Sequence, residues 1–397
     1  MHLAELPTPS LLVDPDRVER NCAAMLARAR HLGVALRPHL KTAKSVDVAH
    51  LAMRGQPGGI TVSTLAEIDW FGTHDFTDIT YAVGIAAHKL EALAQLQRRH
   101  GLVLTLVADH VATVAEVALR AARLDTTFAL LLEIDCGGGR GGVAPDGADL
   151  LALAQAVHAS THLHLAGVLT HAGQSYAVPG RDAIAAVAEA ERAAAVHAAA
   201  RLRAAGFPVP VVSVGSTPTA VHARSLEGVT EMRPGVYTLF DLDQVALGVC
   251  GMDDIAASVL ASVIGHNPRS RRVLIDAGGL ALSKDLSANG FAGGVAGFAD
   301  VGYGLVCAID GTGPLPGLRV AEVHQEHGFI GSAGDADPEA LFARLPIGSR
   351  VRILPNHVCM TAAPYDHYEV VRTGSTETSA RWPKAGGWNP PQGGRYG

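Results

Sequence analysis

The chemically most suggestive residues lie in the octet RPHLKTAK, which runs from Arg37 to Lys44. A lysine that acts as a base or nucleophile needs an uncharged amine near neutral pH, although the ordinary pKa of its side chain is about 10.4. Nearby cations lower that pKa, and the neighbours of Lys41 include Arg37, His39 and Lys44. The octet therefore indicates either a reactive lysine at position 41 or a basic surface loop at a strand end.

A second candidate is the segment PNHVC, in which one residue separates His357 from Cys359. We expect it at the end of a strand, where residues two apart point to the same face. An imidazole nitrogen and a thiolate sulfur are ligands that suit zinc. The alternative is a partly buried histidine beside an inert cysteine. His324 and His327 form a weaker pair, because on a strand they would face opposite sides.

Four glycine-rich or polar segments each follow a predicted strand: IDCGGGRGGV (134–143), THAG (170–173), GSTPT (215–219) and RPGVY (233–237). Glycine lets the backbone approach a ligand closely, and Arg140 supplies a cation. GSTPT opens a helix with proline near its start, which favours phosphate. Each segment alone could be an ordinary turn. In a parallel barrel, however, strand ends share one face, so together they predict a phosphate-bearing ligand.

Short apolar runs alternate with alanine-rich segments of helical period along the first part of the chain. The predicted strands are Ala35–Pro38, Gly59–Val62, Asp78–Val83, Val103–Val107, Phe128–Ile134, Leu163–Thr170, Val211–Val214 and Val229–Met232. A helix or helix-like turn follows each of them. We therefore predict an α/β fold with an N-terminal (β/α)8 TIM-like barrel. The alternative is an open doubly wound sheet, which normally has a glycine fingerprint where this chain has RPHLKTAK.

The pattern changes near Cys250, after which segments with the alternation of strands dominate. They are Ser258–Ile264, Arg272–Ile275, Leu318–Glu326, Ser349–Leu354 and Glu369–Arg372. We predict a C-terminal, mainly antiparallel β domain. The expected domains are a barrel over residues 8–245 and a β domain over 246–380, which residues 1–7 could join. Residues 381–397 are rich in Gly and Pro and should form a mobile tail.

Composition excludes several classes of protein. The net charge is −6 with no basic block, which excludes nucleic acid as a partner. The most apolar helical stretch contains Glu189, Glu191 and Arg192, so we expect no membrane span. The N-terminus lacks the pattern of a signal peptide, and five scattered cysteines suit a reducing compartment. These features predict a cytoplasmic protein.

These residues carry a resemblance to a known family. Lys41 and the segments at 134–143, 170–173, 215–219 and 233–237 resemble the alanine-racemase-type pyridoxal phosphate enzymes of fold type III. RPHLKTAK, SVGSTPT and PNHVC more narrowly resemble the branch containing D-serine dehydratase, D-threo-3-hydroxyaspartate dehydratase and D-threonine aldolase. The similarity extends from about Thr8 to Val371. It implies a barrel, a C-terminal β domain and a head-to-tail homodimer.

The resemblance implies a role for each candidate residue. Lys41 would form a Schiff base with pyridoxal 5'-phosphate and exchange protons at Cα. His171 would lie against the cofactor ring, and Arg140 would bond a ring substituent or nitrogen. Arg233 matches the arginine that meets the pyridine nitrogen in the racemases, and Tyr303 is a weak candidate for their second base. The other cofactor-binding candidates lie around the phosphate or in the same segments: Gly215, Ser216, Thr217, Gly235, Val236 and Tyr237.

The branch also places its metal ligands at the positions of His357 and Cys359. Zinc is expected there, with manganese, magnesium and cobalt as alternatives. The implied reaction is dehydration of a D-3-hydroxy amino acid such as D-serine or D-threo-3-hydroxyaspartate. Lys41 would remove the Cα proton, and the metal would assist the departing hydroxide. A 2-oxo acid and ammonia would result.

Three other outcomes remain open. Retro-aldol cleavage to glycine and an aldehyde, as in D-threonine aldolase, is disfavoured because the aldolases more often have aspartate at the position of Cys359. Racemisation is disfavoured because racemases of this fold lack the metal pair. A non-catalytic pyridoxal phosphate carrier would resemble the first half alone. If the substrate has a second carboxylate, Lys284 and Arg269 are candidates to bind it.

Overall fold

The computed structural model describes residues 1–56, 58–291, 299–332 and 337–390. The chain divides into two compact units. The first, here called the barrel unit, contains Ala24–Lys44, Ala52–Gly235 and residues 387–390. The second, called the sheet unit, contains Met1–Ala23, Ser45–Leu51 and Val236–Gly386.

The described part of the barrel unit has a parallel sheet of eight strands. They are Ala35–Leu36, Ile60–Val62, Asp78–Gly84, Val103–Ala108, Phe128–Glu133, Leu163–Leu169, Val211–Val214 and Glu231–Met232. From Ile60–Val62 onward each strand pairs with the next, and the last pairs with Ala35–Leu36. The ring closes where Leu40 donates its N–H to the carbonyl of Thr61 at 2.8 Å and Thr61 donates to Pro38 at 2.9 Å. The predicted (β/α)8 barrel is therefore confirmed.

Helices alternate with these strands. They are Pro15–His31, Val46–Met53, Leu65–Thr73, Leu90–His100, Val111–Arg123, Ala148–His158, Arg181–Ala204 and Thr217–His222.

Parallel strands covered on both faces are apolar throughout, as Phe128–Glu133 shows with five of its six residues buried. Polar caps fix where helices begin: the side chain of Thr64 accepts the N–H of Glu67 at 3.1 Å.

The sheet unit contains a nine-stranded, mostly antiparallel sheet among the described residues. Its order is Arg272–Ile275, Gly328–Ser332, Pro314–Val323, Gly304–Cys307, Arg350–Pro355, Ala257–Asn267, Ser10–Val13, His367–Val370 and Ala380–Pro383. The first of these also pairs with Ala257–Asn267, so six strands form a closed ring. Short helices lie between strands at Leu242–Ala246, Gly279–Leu282, Pro338–Arg344 and Val358–Thr361. The predicted antiparallel β domain is confirmed.

The two units differ from the expected domain limits at four places, one of which is that Ser45–Leu51 belongs to the sheet unit. Ser10–Val13 pairs with Ala257–Asn267 and with His367–Val370, so this strand belongs to the sheet unit, although residues 8–245 were expected to form the barrel. The barrel unit ends at Gly235 rather than at 245. Ala380–Pro383 pairs with His367–Val370, so the tail expected over 381–397 begins with a strand. The differences at Ser10–Val13 and at Ala380–Pro383 arise because a short strand is stabilised by a partner distant in sequence. Residues 391–397 lie outside the described residues.

The length and composition of the helices decide whether any of them could cross a membrane. In the part of the chain that the structure describes, no helix combines the length and the apolar character that a membrane crossing requires.

Candidate functional site

Lys41 lies in a turn after the first barrel strand. The turn forms because the N–H of Lys41 donates to Nδ1 of His39 at 3.4 Å and that of Lys44 donates to the carbonyl of Leu40 at 2.7 Å. His39 and Leu40 are buried, whereas Lys41 is exposed and lines a cavity of about 400 Å³ in the barrel unit. The turn therefore presents this amine to the cavity while its neighbours stay in the core.

The cations beside Lys41 are not the ones that the sequence indicated. Arg37 forms ion pairs with Asp78 and Glu231, each at 2.9 Å. Lys44 pairs with Glu67 at 3.3 Å. The charges of Arg37 and Lys44 are thus compensated by carboxylates, although both residues are close to Lys41 in sequence.

His39 adds no positive charge to the cavity either. Burial lowers its pKa well below the ordinary value, and the charge of Lys41 lowers it further. The cations that do share the cavity with Lys41 are Arg140 and Arg233. Both come from segments that follow later barrel strands.

The cavity lies at the carboxyl ends of the barrel strands, where active sites of this fold occur. Ser63, Asp109 and Glu133 line it together with Arg140 and His171. Of the predicted cofactor residues, the structure thus gathers Lys41, Arg140, His171 and Arg233 around one space. Its volume is within the range of small-molecule sites, about 300–1,000 Å³.

His171 is held as a neutral imidazole. Its Nδ1–H donates to the carbonyl of Gly215 at 2.9 Å. Burial lowers the pKa of His171 to about 3, and the charges of Arg140, Lys41 and Arg233 act in the same direction. Nε2 therefore carries a lone pair, and the ring is free of charge at neutral pH.

Arg233 is fixed by a buried polar network. Its side chain is 4% exposed, and Nε donates to Oγ of Ser213 at 2.7 Å. The same hydroxyl donates to Glu231 at 2.6 Å, and Glu231 in turn accepts from Arg37 at 2.9 Å. Burial lowers the pKa of Arg233, while the charge of Glu231 opposes this shift. The network fixes where this cation stands.

The GSTPT segment differs from a simple phosphate cradle. Ser216 caps the helix Thr217–His222: its Oγ accepts the N–H of Thr219 at 3.2 Å, and its own N–H donates to Oγ1 of Thr219 at 3.0 Å. The N–H of Gly215 donates to Glu191 at 3.0 Å. The amides of 215 and 216 are thus satisfied within the protein.

Two glycines in these segments are required by packing. Gly215 has φ +125, and a Cβ there would lie 2.8 Å from the backbone nitrogen of Arg233. A Cβ at Gly235 would lie 2.6 Å from the carbonyl oxygen of His39. Both glycines therefore let segments pass closely, whether or not a ligand is bound. Val236 and Tyr237 belong to the sheet unit, where Tyr237 is completely buried.

The residues of the barrel unit fit an anionic, aromatic cofactor such as pyridoxal phosphate. Lys41 supplies an amine, Arg140 and Arg233 supply positive charge, and the neutral ring of His171 supplies a flat surface.

His357 and Cys359 were expected at the end of a strand, and the structure corrects this. The strand ends at Pro355, and His357 precedes the short helix Val358–Thr361 that contains Cys359. The chain turns here because the N–H of Val358 donates to the carboxylate of Asp241 at 2.9 Å.

The two side chains nevertheless meet. Burial opposes the charged form of His357, but hydrogen bonds with Cys359 and Asp285 and the charges of Cys359 and Asp241 raise its pKa to about 10. Nδ1 of His357 donates to the carboxylate of Asp285 at 2.7 Å, so a metal would bind at Nε2 and displace the proton that this pKa places there.

These donors fit a divalent metal. Imidazole nitrogen and cysteine sulfur suit zinc, and ligand histidines commonly hold a carboxylate on the other nitrogen. Among the described residues, no group of three or more His, Cys, Asp or Glu side chains is arranged to hold a metal. As two ligands of a four-coordinate ion, His357 and Cys359 would leave positions open for substrate or water.

The other candidates are placed as follows. Lys284 is exposed and precedes Asp285, whereas Arg269 is exposed in the turn after Ala257–Asn267. Lys284 is thus the cation adjacent in sequence to the partner of His357. His324 is largely exposed and lies 3.2 Å from Glu322, and Tyr303 is half-buried.

Three acidic residues that hold the candidate segments in place were not predicted from the sequence. Asp285 and Asp241 stand in ordinary-looking loop segments, and no sequence signal marks them. Glu191 was considered only as a charge that interrupts a helix, yet it is 1% exposed. A carboxylate within an alanine-rich stretch was the one signal available for it.

Two family models match the chain. The first, "Alanine racemase, N-terminal domain", matches residues 13–243. The second, "Putative serine dehydratase domain", matches residues 256–371. The chain belongs to the alanine racemase-like family of pyridoxal phosphate enzymes.

Relatives of this alanine racemase-like chain include both dehydratases and aldolases. D-threo-3-hydroxyaspartate dehydratase of Delftia sp. (strain HT23) is 44% identical over 97% of this chain and 99% of that protein. D-serine dehydratase of Dictyostelium discoideum is 32% identical over 92% of this chain and 93% of that protein. D-threonine aldolase of Arthrobacter sp is 30% identical over 94% and 92%. These matches place the chain in the branch that contains all three activities.

Solved structures agree with this placement. D-threo-3-hydroxyaspartate dehydratase from Delftia sp. HT23 superposes with a TM-score of 0.90 at 44% identity, covering 98% of this chain and 100% of that chain. A cysteine-to-alanine variant of D-threo-3-hydroxyaspartate dehydratase, described as the metal-free form, also has a TM-score of 0.90, at 43% identity over 98% and 100%.

Proposed function

We propose that this chain is a lyase that depends on pyridoxal phosphate and a divalent metal. Its substrate would be a D-3-hydroxy amino acid such as D-serine or D-threo-3-hydroxyaspartate, and its products a 2-oxo acid and ammonia. The observation that carries this proposal is the His357–Cys359 pair, held by Asp285, in a chain whose barrel presents Lys41 to a cavity that Arg140 and Arg233 also line.

When bound, pyridoxal phosphate supplies an electron sink for charge at Cα, and the metal supplies a Lewis acid for the departing hydroxide. Lys41 would hold the cofactor and take the Cα proton onto its Nζ. That task needs an uncharged amine at Nζ. A substrate carboxylate entering the cavity would meet the guanidinium groups of Arg140 and Arg233.

The remaining barrel residues would orient the reacting groups. His171 offers an uncharged ring whose direction is fixed by the hydrogen bond to Gly215. Arg233 is held in place by its hydrogen bond to the hydroxyl of Ser213, which in turn donates to Glu231. A preorganised arrangement of this kind is what keeps the barrier low when charge develops at Cα.

His357 and Cys359 would hold the divalent metal, and zinc suits this donor set. Asp285 would fix the tautomer and the ring direction of His357. The solved metal-free form of a cysteine-to-alanine variant of D-threo-3-hydroxyaspartate dehydratase supports the proposal, because a metal-free form implies one with metal in that relative.

The alternative is retro-aldol cleavage to glycine and an aldehyde. The thiol at position 359 argues against it, because the aldolases more often have aspartate there. The dehydratase relatives at 44% and 32% identity favour the dehydratase over the aldolase relative at 30%.

We also propose a head-to-tail homodimer in the cytoplasm, which sedimentation and cell fractionation would test.

The experiment is a product analysis. The purified protein, loaded with pyridoxal phosphate and with zinc or manganese, is offered D-serine, D-threo-3-hydroxyaspartate and D-threonine. We expect a 2-oxo acid and ammonia from at least one of the first two, and loss of that activity on chelation while the cofactor stays bound. Glycine with an aldehyde would establish the aldolase instead, and cofactor binding without turnover would support the carrier.

A further inference from the structure

Glu191 is a buried carboxylate that the proposed reaction does not use. It lies within the helix Arg181–Ala204, and 1% of the residue is exposed. Its Oε1 accepts the backbone N–H of Ala172 at 2.8 Å and that of Gly215 at 3.0 Å. Removing a carboxylate from water is costly unless hydrogen bonds compensate it. Here the compensation comes from two loops that are distant in sequence.

Both loops carry residues of the candidate cofactor site. Ala172 directly follows His171, and Gly215 opens the GSTPT segment. Nδ1–H of His171 donates to the carbonyl of Gly215 at 2.9 Å. The N–H of Gly215 is thus bonded to Glu191, and the carbonyl of Gly215 is bonded to His171. A further contact, between the hydroxyls of Ser175 and Ser216 at 2.8 Å, joins the same loops.

The two loops meet at Gly215, where the backbone has an uncommon conformation. Gly215 has φ +125, a conformation open to glycine and rare for other residues. Burial raises the pKa of Glu191, while hydrogen bonds from Thr219, Ala172 and Gly215 oppose that rise. A single side chain therefore engages both ends of the GSTPT segment and the residue after His171.

We propose that Glu191 is a positioning residue for the cofactor: its shared acceptor oxygen sets His171 and the 215–219 segment in the arrangement that pyridoxal phosphate binding requires. This inference rests on the proposed function. If Glu191 acts by accepting hydrogen bonds, a side chain of the same size without an acceptor should loosen both loops. Glutamine, which retains an acceptor oxygen, should preserve the arrangement.

The test compares Glu191→Met and Glu191→Gln with wild type. Glu189→Met is the matched control, because Glu189 lies on the same helix with its side chain 56% exposed and paired with Arg192. The dissociation constant of pyridoxal phosphate is measured by equilibrium dialysis, and the visible circular dichroism of the bound cofactor reports its orientation. We expect Glu191→Met to weaken binding about tenfold or more and to change the dichroism, because two buried amides lose their acceptor. Glu191→Gln and Glu189→Met should remain within about threefold of wild type, a shift well below one tenfold step.

A second measurement covers the case in which Glu191→Met does not fold. Amide hydrogen exchange of wild type should show residues 172 and 215 strongly protected, and Glu191→Gln should retain that protection. Wild-type affinity and dichroism in a folded Glu191→Met, or fast exchange at both amides in wild type, would overturn the positioning role alone. Wild-type protein that binds no pyridoxal phosphate would overturn the proposed function as well.

Discussion

The carboxylate of Asp285 accepts a hydrogen bond from Nδ1 of His357 at 2.7 Å. Asp285 follows the helix Gly279–Leu282, 72 positions before its partner. A carboxylate in this position fixes the tautomer of the ring and leaves Nε2 for an ion. It also makes the imidazole a stronger donor toward a metal.

Replacing Asp285 by asparagine should lower zinc affinity by about 10–100-fold, because the outer partner of a ligand histidine contributes that much. Competition with a chromophoric chelator measures the dissociation constant. Asp366→Asn is the matched control, because Asp366 also contacts a histidine, His367, but is 90% exposed. Equal zinc affinity of Asp285→Asn and wild type would show that Asp285 does not support the metal.

Replacing Lys41 by alanine should abolish the visible absorbance that arises when an amine of the protein bonds covalently to the pyridoxal aldehyde. Product formation should fall at least about 100-fold, because the group that takes the Cα proton is lost. Lys89→Ala serves as control, since Lys89 contacts the hydroxyl of Tyr81 at 3.0 Å. A persisting absorbance band in Lys41→Ala would place the cofactor on another lysine.

The stability of the protein should depend on pH through His171. Its pKa is lowered from 6.5 in the ordinary state to about 3 in the folded state by burial. Between these values the unfolded chain binds a proton that the folded chain does not, so stability is lost as the pH falls. The wild type should therefore lose up to about 1.4 kcal/mol per pH unit relative to His171→Asn below pH 6.5.

Urea denaturation of both proteins at several pH values measures this difference. Above pH 7 the free-energy difference between the two should be constant, because neither state of the wild-type histidine takes up a proton there. A constant difference down to about pH 4 would mean that His171 is protonated equally in both states.

Gly59→Ala should destabilise the barrel by about 1–3 kcal/mol, the usual cost of overpacking. A Cβ at Gly59 would overlap the guanidinium of Arg37 and the backbone and side chain of Asp78, which form an ion pair. The free energy of unfolding is the quantity to measure. Gly386→Ala is the control, because no heavy atom lies within 4 Å of a Cβ there. A neutral Gly59→Ala would indicate that the Arg37–Asp78 pair moves freely.

The sequence by itself determined the barrel strands and the position of the reactive candidates. Strands such as Phe128–Glu133 are apolar because helices cover the outer face of the barrel and strand side chains fill its interior, and this pattern is visible locally. Lys41, Arg140, His171 and Arg233 could be placed at strand ends because each follows such a run, and the carboxyl ends of parallel strands share one side of a barrel.

Tertiary structure decided the partners of those residues. Arg37 and Lys44 were expected to crowd Lys41, but they pair with Asp78, Glu231 and Glu67. The supporting carboxylates of Glu191 and Asp285 lie far in sequence from the groups they hold. The partners of these carboxylates depend on which segments pack together, and such hydrogen bonds produce no repeating pattern in the sequence.

The same distinction explains the domain limits. Ser10–Val13 was not among the strands predicted from the sequence, because its four residues form a strand only by pairing with Ala257–Asn267, some 250 residues away. His357 and Cys359 were recognisable by residue type, whereas the helical turn that joins them depends on Asp241 accepting the N–H of Val358. Side-chain chemistry and repeat period are properties of a short segment, and pairing is a property of the whole folded chain.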